Sequence, residues 1–74
     1  MLLLNYLNEH TDLDWIREKE TGTGFLTAND GHTSFFVDHN DGEYYISYSS
    51  YGNGGSKVTN NIYELIEIIN SFKP

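Results

Sequence analysis

The sequence predicts one α+β domain, in which a helical N-terminal segment, a three- to four-stranded antiparallel β meander and a C-terminal helix packed on the sheet follow one another. A chain of 74 residues can build only one hydrophobic core. Its middle alternates aromatic and β-branched runs with Asp-Gly pairs, which is typical of β-hairpins. Its last stretch repeats apolar residues three and four positions apart, which indicates an amphipathic helix.

The N-terminal region, residues 1–20, is predicted to be helical, as one bent helix or as two short ones, and we favour two. Thr11 is the candidate N-cap of the second helix, with Asp12 and Asp14 in its first turn. Gly22 and Gly24 would then end the helical region. The apolar stripes of the two helices are Leu3, Tyr6 and Leu7, and then Leu13, Trp15 and Ile16.

Three strands are predicted next, over residues 24–29, 32–38 and 43–50. They are separated by Asp30-Gly31 and by residues 39–42, which read His-Asn-Asp-Gly. Asp-Gly between two such runs indicates a hairpin, because it suits a type I′ turn, which needs positive φ at both central residues. Because side chains alternate along a strand, Tyr44, Ile46 and Tyr48 share one face and Tyr45 lies on the other. One face is expected to meet the helices, and the other to be at least partly exposed to water.

The glycine-rich stretch 51–56 is predicted to be a flexible loop, and residues 57–59 a short edge strand. The C-terminal helix is the clearest element. Asn61 is its predicted N-cap, and Glu64 three residues later completes a capping-box pattern. The buried stripe of this helix is predicted to contain Ile62, Leu65, Ile66, Ile69 and Phe72.

The amino-acid composition excludes some classes of function for this protein and favours others. Eleven Asp and Glu against four Lys and Arg give a net charge of -7, which disfavours direct binding to nucleic acid or to a membrane and favours basic partners. The absence of Cys excludes thiolate chemistry. The first residues lack a signal-peptide or membrane-span pattern, so a cytoplasmic location is expected. An acidic surface that serves only solubility explains the same charge and remains open.

No pattern in the sequence predicts a catalytic, cofactor or metal site. Residues 52–57 are rich in glycine, as a phosphate-binding loop is. That loop needs its lysine directly before a Ser or Thr, however, and here Ser56 precedes Lys57. His32 and His39 fall at opposite ends of one predicted strand, roughly 23 Å apart, and cannot share a metal ion. Residues 38–43 offer calcium-type oxygens at a spacing unlike an EF-hand. So small a domain is also expected to lack a ligand cleft of about 300 Å³.

The segment 16–22, which reads Ile-Arg-Glu-Lys-Glu-Thr-Gly, resembles a stretch of the phage uracil-DNA glycosylase inhibitors, where a helix end runs into a strand. Those inhibitors are small acidic DNA mimics. In size, charge and aromatic content the chain is also similar to phage-encoded inhibitors of nucleoid proteins, repair enzymes or CRISPR nucleases. The resemblance implies a non-catalytic inhibitor that acts in the host cytoplasm on a basic DNA-binding protein.

We therefore expect an acidic inhibitor that mimics nucleic acid and occupies the DNA-binding surface of a basic host protein. Its carboxylates would replace phosphates in front of Lys and Arg side chains, and salt would weaken the complex. The alternative is a non-catalytic interaction or assembly module, such as a homodimer, that makes an apolar contact through its sheet face and Tyr45, Tyr51 or Trp15. The predicted partner-binding residues are Asp12, Asp14, Glu18, Glu20, Asp38, Asp41 and Glu43.

Overall fold

The computed structural model describes residues 2–17 and 25–72 and contains two helices and five strands within those ranges. The strands form one antiparallel sheet whose spatial order follows the chain. The predicted α+β architecture is confirmed, with more strands than expected. The elements are α1 (Leu3–His10), β1 (Ile16–Arg17), β2 (Leu26–Asn29), β3 (Thr33–Asn40), β4 (Glu43–Ser50), β5 (Asn53–Thr59) and α2 (Ile62–Asn70).

Both helices lie on one face of the sheet and form the core with it. Leu7 from α1 and Leu65 from α2 are fully buried together with Phe35, Val37 and Ile46 from the two central strands. Tyr44 and Tyr48 pack against this core beside Ile46, which confirms the predicted face of β4. The opposite face of the sheet has no helix over it in the described part of the chain.

The β3–β4 turn and the last helix follow their sequence signals, but the predicted type I′ turn at 30–31 is wrong. Of that pair only Gly31 has a positive φ, of 92°, and the Asp30 N–H donates to the Thr33 carbonyl oxygen, so the central residues of the turn are 31 and 32. Asp41 and Gly42 have the positive φ values that the Asp-Gly signal predicts, 53° and 78°, and they form a two-residue turn. The connection is shorter than the predicted residues 39–42, because β3 continues to Asn40. Asn61 caps α2, because its side-chain Oδ1 accepts hydrogen bonds from the backbone N–H of Tyr63 at 2.8 Å and of Glu64 at 3.4 Å. Strand β4 begins and ends at the predicted residues.

The predicted second helix is wrong over residues 11–17, and 18–20 lie outside the described residues. Thr11 is the extended C-cap of α1 and not an N-cap. Its hydroxyl donates to the Leu7 carbonyl oxygen at 2.7 Å and accepts from the Trp15 Nε1–H at 2.9 Å. The Trp15 backbone N–H donates to the Asn8 side chain at 2.6 Å. These bonds fix a bend that buries Trp15, which overrides a weak helix propensity.

The glycine-rich segment is also not the predicted loop. Residues 53–59 form β5, which pairs with β4 along its whole length, so the edge strand is longer than the predicted 57–59. The loop shrinks to Tyr51 and Gly52, whose φ values of 50° and 81° make a second two-residue turn. Glycine at 55 leaves room for the Tyr48 ring, which is a packing reason for a residue that normally weakens strands.

Candidate interaction surface

The sheet face opposite the helices, here called the outer face, carries exposed apolar side chains on four strands. Ile16, Phe36, Tyr45 and Val58 are 62%, 43%, 41% and 50% exposed. Tyr45 lies directly opposite Val58 of β5, and Phe36 lies beside Thr27, which in turn lies opposite Ile16. Cross-strand neighbours on one face are in side-chain contact range. The apolar residues therefore form two rows across the sheet.

A shallow cleft of about 350 Å³ lies among these residues. Its volume falls in the range of ligand clefts, so the expectation that the domain is too small for one is wrong. Aromatic rings form its apolar walls, and one carboxylate and small polar side chains form the rest. The lining residues are Phe25, Phe36, Asp38, Asn40, Tyr45 and Ser47.

The charged side chains of the outer face all have one sign within the described strands. Asp38 lies opposite Tyr45, and Glu43 lies two residues before Tyr45 on β4, so both carboxylates belong to this face. Arg17 lies opposite Leu26 and Lys57 opposite Ile46, which places these cations on the helix side. The outer face is therefore an apolar surface with acidic and no basic groups among its described residues.

Three of the seven predicted partner-binding residues come together at one end of the sheet. Asp41 lies in the β3–β4 turn, Glu43 begins β4, and Asp38 is two residues before the end of β3. Asp41 and Glu43 are exposed and Asp38 is half-buried. These three, Asp38, Asp41 and Glu43, are called the acidic end below.

Two further predicted carboxylates, Asp12 and Asp14, lie away from the acidic end. Asp12 and Asp14 are exposed in the connection between α1 and β1. Asp12 lines a cleft together with Asp30 from the β2–β3 loop, and β3 separates that loop from the acidic end by roughly 23 Å. Glu18 and Glu20 lie outside the described residues. The five that the structure describes therefore do not form one continuous acidic track.

The cleft at Asp12 has a volume of about 280 Å³ and an apolar floor of Leu13, Phe35 and Ile69. Asp30 at its rim accepts hydrogen bonds from the backbone N–H of Thr33 at 2.6 Å and of His32 at 2.8 Å. These bonds, that of Thr33 first, lower the pKa of Asp30. Nothing in the sequence pointed to this cleft, because residues from three distant segments meet there.

The aromatic residues proposed for an apolar contact have different environments. Tyr45 is half-exposed on the outer face, and Tyr51 is 78% exposed in the β4–β5 turn, where its hydroxyl is hydrogen-bonded to His32 Nδ1. Trp15 is only 3% exposed, so the expectation that it contacts a partner is wrong. The indole is buried because its N–H has an internal acceptor in Thr11.

Compared with known protein families, curated proteins and solved structures, the chain shows no match. A function for it has to be argued from the surface itself.

Residues 2–17 and 25–72 contain no group of three or more His, Asp or Glu side chains arranged to hold a metal ion. His39 instead stacks on the ring of Tyr44 with centroids 4.3 Å apart. Neither described helix has the length and apolar character needed to cross a membrane.

Proposed function

We propose that the chain is a non-catalytic binding protein whose outer face occupies the nucleic-acid-binding surface of a basic protein. The observation that supports this most strongly is the separation of charge across the sheet. Asp38 and Glu43 lie on the outer face beside Tyr45, whereas Arg17 and Lys57 lie on the helix side. A face of this kind attracts a basic surface and repels a phosphate backbone.

The acidic end and the apolar rows have different roles in this proposal. Exposed carboxylates at the acidic end pair with Lys and Arg side chains that otherwise neutralise phosphates, and they mainly raise the association rate. Phe36, Tyr45 and Val58 supply buried apolar area at the centre of the contact, where aromatic side chains carry much of the binding energy. The partner therefore combines a basic surface with an apolar centre.

The test is a charge reversal with a matched control. The variant Asp38→Lys with Glu43→Lys changes the acidic end, and Glu9→Lys with Glu67→Lys makes the same change of net charge on the exposed surfaces of α1 and α2. Each tagged variant is incubated with nuclease-treated bacterial lysate, and retained proteins are identified by mass spectrometry. A basic protein retained by the wild type and by the helix variant, but lost from the acidic-end variant, is expected.

The retained protein is then bound to a fluorescent duplex oligonucleotide, and the wild-type chain is titrated in. Release of the duplex, with an apparent affinity that falls as salt is raised to about 0.5 M, is expected because exposed charges are screened over that range. The proposal is wrong if the captured protein keeps its duplex, or if both charge-reversal variants capture it equally.

A second candidate function is an interaction or assembly module that uses the apolar rows alone. It is favoured by the exposure of Phe36, Tyr45 and Val58, since contiguous exposed apolar residues mark protein contacts. Binding of this kind survives about 0.5 M salt and tolerates charge reversal at the acidic end. The same titration therefore separates the two functions.

A further inference from the structure

Strand β5 forms one edge of the sheet, and no other described strand pairs with its outer side. It is the last strand in the sheet order, and residues 53–58 are all exposed. An edge strand of seven residues presents unpaired backbone groups that can add a further strand. Soluble proteins usually protect such an edge with charges, proline or a bulge, and β5 has one charged residue, Lys57, and an uninterrupted register with β4.

The register fixes which backbone groups point outward. Ser50 and Asn53 flank a two-residue turn and form a hydrogen-bonded pair, so alternate residues of β5 bond to β4. Asn53, Gly55, Lys57 and Thr59 face β4 in this way. The remaining residues, Gly54, Ser56 and Val58, direct their N–H and C=O groups away from the sheet.

We propose that a second copy of the chain pairs antiparallel with this edge, with Ser56 opposite Ser56 of the second copy. In that register Gly54 meets Val58 of the second copy, and Val58 meets Gly54 of the second copy. Each of the three residues whose backbone groups point outward is then opposite such a residue of the second copy. The three pairs form six backbone hydrogen bonds, arranged about the two-fold axis. A shift of the register by two residues would lose some of these six hydrogen bonds.

Side-chain size is complementary in the same register. On the outer face, Val58 lies against Gly54 of the second copy, where no side chain competes for space. On the helix side, Lys57 lies opposite Gly55 of the second copy, and that glycine lies against the Tyr48 ring of its own chain. The Lys57 ammonium group can therefore reach an aromatic ring, which is a favourable cation–π arrangement.

Charge also favours this edge for self-association. Residues 53–59 contain one Lys and no Asp or Glu in a chain of net charge -7, so two copies meet there without facing carboxylates. Asp41, Glu43 and Glu64 cluster around the Thr59 end of β5. Antiparallel pairing places the two clusters at opposite ends of the interface, roughly 20 Å apart, which exceeds the screening length of about 10 Å at 0.1 M salt.

The inference goes beyond the proposed function and is tested on the purified protein with no other component. Sedimentation equilibrium over about a hundredfold range of concentration should show a monomer–dimer equilibrium. Hydrogen exchange should show amide protection of Gly54, Ser56 and Val58 that rises at least about tenfold between the dilute and the concentrated sample. The amides of Gly55 and Lys57, bonded within each chain, serve as internal controls and should change little.

The variant Ser56→Pro removes an outward N–H and leaves the bonds to β4 in place, so it should fold and remain monomeric. Ser56→Ala keeps the N–H and should dimerise like the wild type. The acidic-end variant of the preceding section should also dimerise, since it leaves β5 unchanged. A wild type that is monomeric throughout, a dimer with unprotected outward amides, or a dimer that survives in a folded Ser56→Pro protein would overturn the inference.

Discussion

The ring of Tyr48 on β4 lies directly against Gly55 on β5. The two residues are opposite each other in the strand register, and a Cβ atom at position 55 would be 2.7 Å from the Tyr48 hydroxyl oxygen and 2.9 Å from its Cζ atom. The same ring packs on Phe72, with centroids 4.4 Å apart. Tyr48 is therefore held between Phe72 and position 55 of β5. At that position any side chain larger than that of glycine would force neighbouring atoms to shift.

Substituting Gly55 by Ala should destabilise the fold. The added methyl group forces the Tyr48 ring out of its position, and overpacking of this kind costs about 1–3 kcal/mol, partly offset by the lower chain entropy of the unfolded alanine variant. We expect a net loss of about 1 kcal/mol in the free energy of unfolding, measured by urea denaturation. Ser56→Ala, on the exposed outer side of the same strand, is the control and should change little.

Substituting Thr11 by Val should destabilise the fold more strongly. The buried Thr11 hydroxyl is the acceptor for the Trp15 indole N–H, and valine keeps the shape while leaving that donor unsatisfied. A buried unsatisfied donor costs about 1–3 kcal/mol. Urea unfolding can be followed by the fluorescence of Trp15, the single tryptophan. Thr11→Ser retains the acceptor, and an equal loss in both variants would contradict this role.

Substituting Asn61 by Ala should weaken α2. The Asn61 side chain accepts from two backbone N–H groups of the first helical turn, and such a cap contributes about 1 kcal/mol. The expected result is a lower melting temperature measured by circular dichroism. Asn60→Ala, one residue earlier and exposed, is the matched control. Equal melting temperatures for the two variants would show that the cap is not needed.

The fold was predictable where local chemistry and packing agree. In β4 the alternation of Tyr and Ile with Ser matches a sheet with one covered face, and at Asn61 the cap matches the stripe of α2. The two largest errors arise where tertiary contacts decide the local structure. Trp15 bends residues 11–15 by bonding to Asn8 and Thr11, and Tyr48 makes a glycine useful inside β5. Neither contact has a sequence pattern of its own.

The candidate site was predictable only in part. The carboxylates at 38, 41 and 43 are near in sequence and are joined by a turn, so their proximity follows from the hairpin. The apolar rows depend on the register of four strands. Arg17 and Lys57 lie away from the outer face because of which alternate residues of β1 and β5 point to each side of the sheet. The sequence analysis did not predict the correct bounds of either strand.

The free energy of unfolding should fall at acidic pH as the Asp30 carboxylate becomes protonated. Its carboxylate accepts from the backbone N–H groups of Thr33 and His32, which holds the pKa of Asp30 in the folded protein below its ordinary value of 3.8. A group with a lowered folded pKa stabilises the fold above its unfolded pKa, and this contribution is lost as pH falls through the folded pKa.

The measurement is the free energy of urea unfolding of the wild type and of Asp30→Asn at a series of pH values. Asparagine keeps an acceptor oxygen without the charge, so the wild type should be the more stable protein at neutral pH. The difference between the two should hold down to the ordinary pKa of an aspartate and then shrink below it, because the wild-type carboxylate becomes protonated. A difference that stayed constant down to about pH 2 would show that the charge of Asp30 contributes nothing to the β2–β3 loop.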